Sequence, residues 1–296
     1  MKPRKTGTYE KTTVGGEEVA AFIPAPLPPT KPRLAMVGSP DERLRAAEQA
    51  LARLELAGEM VPSIDWFIYA FVRKEAVVSS QIEGTQATLV DLLTFEAESG
   101  GGPRSADVEE VCNYLDALDF ARTQLADSSG LPLSMRLLNK THARLMQGVR
   151  GADKRPGAVR RTQNWIGGSR PGNATFVPPP PHALGELLTA FEKYMHADDD
   201  LPPLVRAGLL HVQFETIHPY LDGNGRMGRL LVTLLLEHRK LLTQPLLYLS
   251  VFFKRHRTDY YDRLGAVRTS GDWEGRTEFF LDGGATIAAE AVISAR

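Results

Sequence analysis

Apolar residues recur three and four positions apart along most of the chain, which is the spacing of an amphipathic helix. This pattern begins at Ser39 and predicts a mainly α protein. Ser39 is the expected N-cap of the first helix, because a proline and two acidic residues follow it. The predicted helices cover residues 39–58, 63–81, 88–98, 105–127, 134–147, 184–196, 203–217, 224–241, 257–270 and 273–295.

The first 40 residues do not follow the helical pattern. The stretch 9–23 predicts a short β-hairpin that turns at Gly15 and Gly16. Five prolines follow by residue 32, and they favour an extended, polyproline-like segment. We therefore expect an N-terminal arm that wraps over the domain.

Two further stretches rich in glycine and proline interrupt the helices. Residues 150–182 contain two short strand candidates, 162–166 and 174–177, and predict a hairpin excursion. A break this long inside a compact domain is usually functional or disordered. The glycine-rich stretch 99–105 is the best internal boundary. It predicts an arm and helical module over residues 1–98 and a core over 99–296.

Composition excludes several classes of protein. The 296 residues include 35 Lys and Arg and 36 Asp and Glu, so no charge excess points to nucleic acid or membrane as a bulk partner. Cys112 is the single cysteine, which excludes an internal disulfide. The N-terminus has no apolar leader segment, and the longest apolar run, Leu230–Leu236, is too short to span a bilayer. We expect a cytoplasmic protein.

The stretch HPYLDGNGRMGR, residues 218–229, places two arginines at the start of a helix. Anions rather than cations are favoured there, because the helix dipole is positive at its N-terminus. An anion bound by the backbone N–H groups of DGNGR would explain both arginines. Taken singly, each of these residue types is more often part of a turn. Because all of them occur within nine residues, the stretch indicates a polyphosphate site. Arg226 and Arg229 are three apart and should project from one face.

Two other residues of this stretch could contribute chemistry. Asp222 lies beside the glycines, where its carboxylate could hold Mg²⁺. His218 precedes the loop and could act as a general base. No Gly-Lys-Ser/Thr follows, so the stretch is not a Walker loop. His211 and His218 have no third ligand in sequence, which makes a zinc site unlikely.

The pattern His-Pro-x-x-Asp-Gly-Asn-Gly-Arg-x-x-Arg resembles the signature of Fic-domain proteins. Residues 107–118, 162–177 and 259–280 also resemble a core helix, the β-hairpin flap and the C-terminal helices of that family. The resemblance implies a Fic-type helical bundle core with a flap. Tyr220 departs from it, since phenylalanine is commonest there, and its hydroxyl needs a partner if buried.

The activity implied by the resemblance is transfer of AMP from ATP to a hydroxyl of a target protein or of the enzyme itself, with Mg²⁺ or Mn²⁺. In that scheme His218 is the base for a Ser, Thr or Tyr hydroxyl, and Asp222 holds the metal. The resemblance implies that the nucleotide-binding residues are Gly223, Asn224, Gly225, Arg226, Arg229, Tyr260 and Tyr261. The two tyrosines are equally good candidates for the core. Arg268 matches a position that often contacts the nucleotide.

The resemblance also implies how a target docks. The flap would pair with an extended segment of the target as an added strand. Nothing in the flap encodes the identity of that protein. The residues expected to form this docking surface are Gln163, Asn164, Trp165, Ile166, Gly167, Thr175, Phe176 and Val177.

A second misplaced charge lies upstream. Glu83 falls at a predicted helix C-terminus, before Gly84 as a left-handed cap, where a carboxylate is mildly unfavourable. An ion pair between Glu83 and Arg229 would neutralise both of these unfavourably placed charges. Ser79, Glu83 and Gly84 also resemble the Ser/Thr-x-x-x-Glu-Gly inhibitory motif of Fic proteins. This implies an N-terminal helix that inhibits the enzyme through Arg229.

Other functions remain open. The same residues could remove AMP from a modified protein, with Glu83 aligning a water, and similar folds use other donors such as UTP or a phosphocholine carrier. A nucleotide-sensing regulator is a third possibility. Similar proteins often carry a DNA-binding module after the core, but the chain ends at Arg296, so DNA binding is not supported within it. A homodimer is possible, as dimers are common in similar proteins.

Overall fold

The structure is a computed structural model that describes residues 4–61, 63–98 and 105–295. It confirms the predicted mainly α fold. Two strands, β1 (Gly7–Val14) and β2 (Glu17–Pro24), precede the helices. The helices are α1 (Ser39–Met60), α2 (Ile64–Ile82), α3 (Leu89–Ala97), α4 (Ala106–Ala126), α5 (Met135–Leu145), α6 (Leu184–His196), α7 (Pro203–Ile217), α8 (Asn224–His238), α9 (Ser250–Arg255), α10 (Arg257–Ser270) and α11 (Trp273–Ser294).

Side-chain caps start several helices where the sequence predicts them. Ser63, Ser105 and Ser134 each accept a hydrogen bond from a backbone N–H of the first turn. The predicted cap of α1 is wrong. Gly38 is the N-cap residue, while the Ser39 hydroxyl accepts a hydrogen bond from Arg43 Nε at 3.1 Å.

Two other helix predictions need correction. The eighth helix ends at His238 rather than at residue 241, because Lys240 adopts a left-handed conformation with φ of 56°. Helix α9 was not predicted, since its six residues are too few to establish a helical period.

The core is formed by helices α7 and α8, which are buried on almost every side. α1 lies along α11, and α2 packs on α4 and α9. One apolar cluster includes side chains from both sides of the predicted domain boundary, such as Leu51 of α1 and Leu231 of α8. The boundary stretch itself falls at residues 99–104, outside the described residues, so the two-part division stays a prediction. No described helix is both long and apolar enough to cross a bilayer.

The predicted N-terminal hairpin is confirmed. β1 pairs antiparallel with β2, and the turn is made by Gly15 and Gly16 with φ of 58° and 84°. The outer edge of β2 reaches the flap, because Phe22 N donates to Val177 O at 2.9 Å. The arm thus lies over the domain as expected.

The predicted strands of the flap are wrong in extent. A single bridge joins Ile166 and Phe176, through hydrogen bonds of 2.8 and 3.1 Å. Gly167 and Gly168 then take φ of 68° and 73°, and a short 3₁₀ turn follows. Consecutive prolines from residue 178 supply no N–H groups, so the ladder cannot extend in that direction.

Candidate active site

The motif loop connects the two central helices. α7 ends at His218, which adopts a left-handed conformation with φ of 51° and ψ of 62°. Its backbone N–H still donates to Phe214 O at 2.9 Å. The chain then turns through Gly223, with φ of 74°, and enters α8. This geometry presents the loop N–H groups and the start of α8 to one site.

Asn224 and Tyr220 hold this loop in shape. Asn224 Oδ1 accepts from Tyr220 N and Asn224 Nδ2 donates to Tyr220 O, both at 2.9 Å. Both polar atoms of the Asn224 side chain therefore bond to the backbone of the loop. The Tyr220 hydroxyl is buried and donates to Asn139 Oδ1 at 2.8 Å, which supplies the partner that the sequence required.

The two arginines of the motif have different partners. Arg226 is 1% exposed and pairs with Glu110 Oε2 of α4 at 3.0 Å. Its Nε is buried without a hydrogen-bond partner among the described residues. The two arginines of the motif are thus engaged by different carboxylates, and their predicted joint role in phosphate binding stays a prediction.

Arg229 meets the C-terminal turn of α2. Its Nε donates to Ser79 Oγ at 2.8 Å, and its Nη2 donates to Ser79 O at 2.9 Å. Nη2 also pairs with Glu83 Oε1 at 2.7 Å. The predicted contact between Glu83 and Arg229 is present, and Gly84 has the expected positive φ, at 104°.

The Glu83 carboxylate lies directly over the start of α8. A methyl group placed on Gly225 would come within 2.2 Å of Glu83 Oε1. Glu83 is therefore the anion at this helix N-terminus. Burial opposes ionisation, but the adjacent Arg229 outweighs it and lowers the pKa of Glu83 below its ordinary value.

His218 is held as a neutral imidazole. Burial, and next the positive charge of Arg160, lower its pKa to about 4. Arg160 Nε also donates to His218 O at 2.9 Å and so fixes the end of α7. The Nδ1 atom is buried, and the Glu215 backbone beside the ring opposes part of the lowering of the pKa.

Two residues near the motif were missed from the sequence. Glu215 lies one turn before His218, and burial raises its pKa to about 7. His142 of α5 stacks on Tyr220 with ring centroids 3.7 Å apart. Its Nε2 contacts Asp222 O at 2.9 Å, and its Nδ1 accepts from Gly157 N at 2.9 Å. A glutamate one turn before the motif was a possible signal, whereas nothing local identifies His142.

Asp222 has a carboxylate that can ligate a metal ion, but the described side chains around it do not complete a metal site. Its Oδ1 accepts from Gly223 N at 2.6 Å. No group of three or more His, Cys, Asp or Glu side chains that could hold a metal occurs among the described residues. A single carboxylate fits Mg²⁺ in sites where substrate phosphates and waters complete the shell.

The two predicted adenine residues separate. Tyr260 is 1% exposed, and its hydroxyl lies 3.0 Å from His211 Nε2, so it belongs to the core. Tyr261 is 41% exposed and lines a cavity of about 710 Å³ together with Arg268. The Arg268 guanidinium lies 3.9 Å above the Phe176 ring of the flap. Of the two tyrosines, only Tyr261 is accessible to a ligand.

The flap is fastened to the motif loop. Asn164 Nδ2 donates to Tyr220 O at 3.3 Å, and Gln163 Nε2 donates to Pro178 O at 2.8 Å. Trp165 is 39% exposed, whereas Phe176 and Val177 are buried. Gly167 and Thr175 are exposed. Because Val177 O is already bonded to β2, the docking role predicted for this surface stays a prediction.

Comparison with known protein families matches both halves of this architecture. Residues 42–123 match the model of the Fic/DOC family N-terminal region, and residues 132–236 match the model of the Fic/DOC family. The chain belongs to the Fic/DOC family. The motif loop and the Glu83 helix fall within the two matched regions.

Individual proteins agree with this assignment. "Protein adenylyltransferase Fic" of Culex quinquefasciatus is 32% identical over 68% of the chain, and the protein of the same name from Drosophila grimshawi is 34% identical over 68%. The chain spans only 38% and 39% of those two relatives. A Fic family protein from Desulfovibrio desulfuricans G20 superposes with a TM-score of 0.70 at 22% identity, covering 88% of this chain and 76% of that one.

Proposed function

We propose that this Fic protein is an inhibited protein adenylyltransferase, which moves AMP from ATP to a Ser, Thr or Tyr hydroxyl. The observation that carries the proposal is the position of Glu83 over Gly225, paired with Arg229. A buried arginine at a helix start, already neutralised by a carboxylate, marks a place built for an anion. The adenylyltransferase names of the relatives support AMP as the transferred group.

In the proposed reaction, the target hydroxyl oxygen attacks the α-phosphorus of ATP. The bond from that phosphorus to the bridging oxygen breaks, and pyrophosphate leaves. His218 Nε2 accepts the hydroxyl proton, which its low pKa permits because the ring is neutral at pH 7. The loop N–H groups between Asp222 and Gly225 hold the phosphates, so positioning and charge dominate the catalysis.

Asp222 is the residue that would hold the divalent cation. Mg²⁺ or Mn²⁺ would neutralise phosphate charge as the bond to pyrophosphate breaks. Asp222 is fixed from behind by its hydrogen bond with Gly223 N and by the contact of its carbonyl with His142.

Inhibition follows from competition for one site. While Glu83 pairs with Arg229, a terminal phosphate cannot take the same place, since two anions would share one helix start and one guanidinium. ATP would then bind with its α-phosphate out of line. Replacing Glu83 by glycine removes the competing carboxylate and leaves the Ser79 contacts of Arg229 in place.

The reaction type is tested with two radiolabels. The Glu83→Gly protein is incubated with Mg²⁺ and ATP labelled at either the α- or the γ-phosphate, followed by intact-mass analysis. AMP transfer places the α-label and the mass of AMP on the protein and leaves the γ-label in pyrophosphate. Transfer of the γ-label instead would show a kinase, and the absence of both labels from the protein and from an added cell lysate would exclude both reactions with ATP as donor.

Removal of AMP is a second candidate, favoured by one observation. The Glu83 side chain is 31% exposed, and its charge acts on His218. A carboxylate in that position can orient a water toward a phosphodiester. Wild-type protein that strips AMP from a modified target, while Glu83→Gly does not, would identify this activity.

A further inference from the structure

One cavity next to the flap has a wall that lies outside the two regions matched to the family. The cavity of about 710 Å³ lies between the β1–β2 hairpin, the flap and α10. The hairpin precedes residue 42, where the match to the family begins. Among the residues that line the cavity are Tyr9, Glu18 and Ala20 of the hairpin, Phe176 of the flap, and Tyr261 and Arg268 of α10.

The hairpin is fixed in this position at several points. Arg4 donates to both carboxylate oxygens of Glu274, at 2.7 and 2.8 Å. Gly172 N of the flap donates to Glu17 Oε2 at 3.0 Å, and Gln213 Nε2 of α7 donates to Ala25 O at 3.0 Å. Contacts of the hairpin and of its flanking residues with α7, α11 and the flap hold the hairpin against the cavity.

Two walls of the cavity are joined to the motif loop and to α7. The flap forms one wall, and its Asn164 Nδ2 donates to Tyr220 O at 3.3 Å. Tyr261 of α10 lines another wall, and its ring lies 5.0 Å from that of Tyr260, whose hydroxyl is 3.0 Å from His211 Nε2. Burial lowers the pKa of Arg268, which also lines the cavity, to about 10. A nucleotide with its phosphates at Gly225 would extend its base into this space.

The lining suits a planar base that carries an amino group. Phe176, Tyr261 and Tyr9 supply aromatic faces, and Tyr9 is 62% exposed. Glu18 supplies an acceptor and forms an exposed ion pair with Lys11 at 2.9 Å. A cavity of 710 Å³ is within the range of about 300–1,000 Å³ that small-ligand sites occupy.

We propose that the β1–β2 hairpin forms the outer wall of the nucleobase pocket, where Tyr9 packs on the base and Glu18 accepts a hydrogen bond from its amino group. This inference rests on the proposed use of ATP and assigns a specificity role to residues outside the matched regions. An extended segment of a target protein is the competing occupant, and the test separates the two.

The test is ATP binding, measured by calorimetry on the Glu83→Gly/His218→Ala protein, which lacks both the inhibitory carboxylate and the base. Tyr9→Ala or Glu18→Ala is added to this parent, and inorganic tripolyphosphate serves as a probe without a base. Each added change should raise the Kd for ATP roughly tenfold, the scale of a lost base stack or charged hydrogen bond. The Kd for tripolyphosphate should stay as in the parent.

Glu10→Ala is the matched control. Glu10 lies on β1, does not line the cavity, and has its Oε2 3.3 Å from His182 Nε2. Its removal should leave both Kd values unchanged. Hairpin variants that bind ATP with the Kd of the parent would overturn this inference and leave the proposed function standing. The same holds for variants whose Kd values for ATP and tripolyphosphate rise by the same factor. Slower self-labelling by the same hairpin changes placed on the Glu83→Gly protein, which keeps His218, would also overturn the inference if ATP binding is unchanged. A parent that binds no ATP would overturn the proposed adenylyltransferase as well.

Discussion

Arg226 of the motif and Glu110 of α4 form a buried ion pair 3.0 Å long, with each side chain 2% exposed. The pair joins the start of α8 to a helix that lies more than one hundred residues earlier in the chain. Arg150 Nε approaches the other oxygen of Glu110 at 3.5 Å from a more exposed position. Arg226 thus anchors the motif loop to the core.

Removing Glu110 should therefore destabilise the protein strongly. Glu110→Ala leaves the Arg226 charge buried and unpaired, and breaking such a pair costs about 3–5 kcal/mol. Chemical denaturation measures the change in the free energy of unfolding. Glu109→Ala is the control, because Glu109 is partly exposed, and its loss should cost about 0.5 kcal/mol or less. Equal losses for the two variants would show that the pair contributes nothing specific.

Tyr220→Phe should lower stability measurably and leave the proposed chemistry intact. The change removes the hydrogen bond to Asn139 Oδ1 and leaves that oxygen without this donor, a loss of about 1–3 kcal/mol. The ring keeps its stacking on His142, so the loop retains its shape. Thermal unfolding and labelling by the Glu83→Gly background measure the two effects. A large loss of labelling at unchanged stability would assign the hydroxyl a direct role.

Glu215 should make stability fall as the pH rises from about 4.5 to about 7. Burial, with Glu83 next to act in the same direction, raises its pKa from 4.5 to about 7. In this window the folded state keeps a proton that the unfolded state has released, so raising the pH favours unfolding. Glu215→Gln cannot ionise, and its advantage in thermal stability over wild type should grow across the window. An advantage that is independent of pH would contradict the assigned pKa.

Local sequence was enough for most helices and for the motif. Helical periods placed most helices to within a few residues, because that signal involves only neighbours in sequence. Glu83 and Arg229 could be paired from the sequence because each has the charge that the helix dipole disfavours at its end of a helix. An ion pair between them neutralises both charges. The pair is 2.7 Å long in the structure.

The remainder depends on contacts between distant segments. Nothing near Arg226 in sequence identifies Glu110 as its partner, and nothing near Tyr260 separates it from the accessible Tyr261. The predicted strands of the flap are too long, because the apolar and polar pattern of residues 162–177 also fits an irregular loop that packs under β2. Gly38 replaces Ser39 as the N-cap, although the serine is the better capping residue by type.

The central claim is that Glu83 silences a catalytic site that depends on His218. The direct measurement is the initial rate of self-labelling from α-labelled ATP and Mg²⁺ for wild type, Glu83→Gly and Glu83→Gly/His218→Ala, with folding of all three verified by thermal unfolding. We expect labelling by Glu83→Gly well above wild type, and a loss of roughly 10²–10⁴ in rate when His218 is also removed. Equal rates for wild type and Glu83→Gly would contradict the claim of inhibition, and undiminished labelling by the double variant would contradict the role of His218.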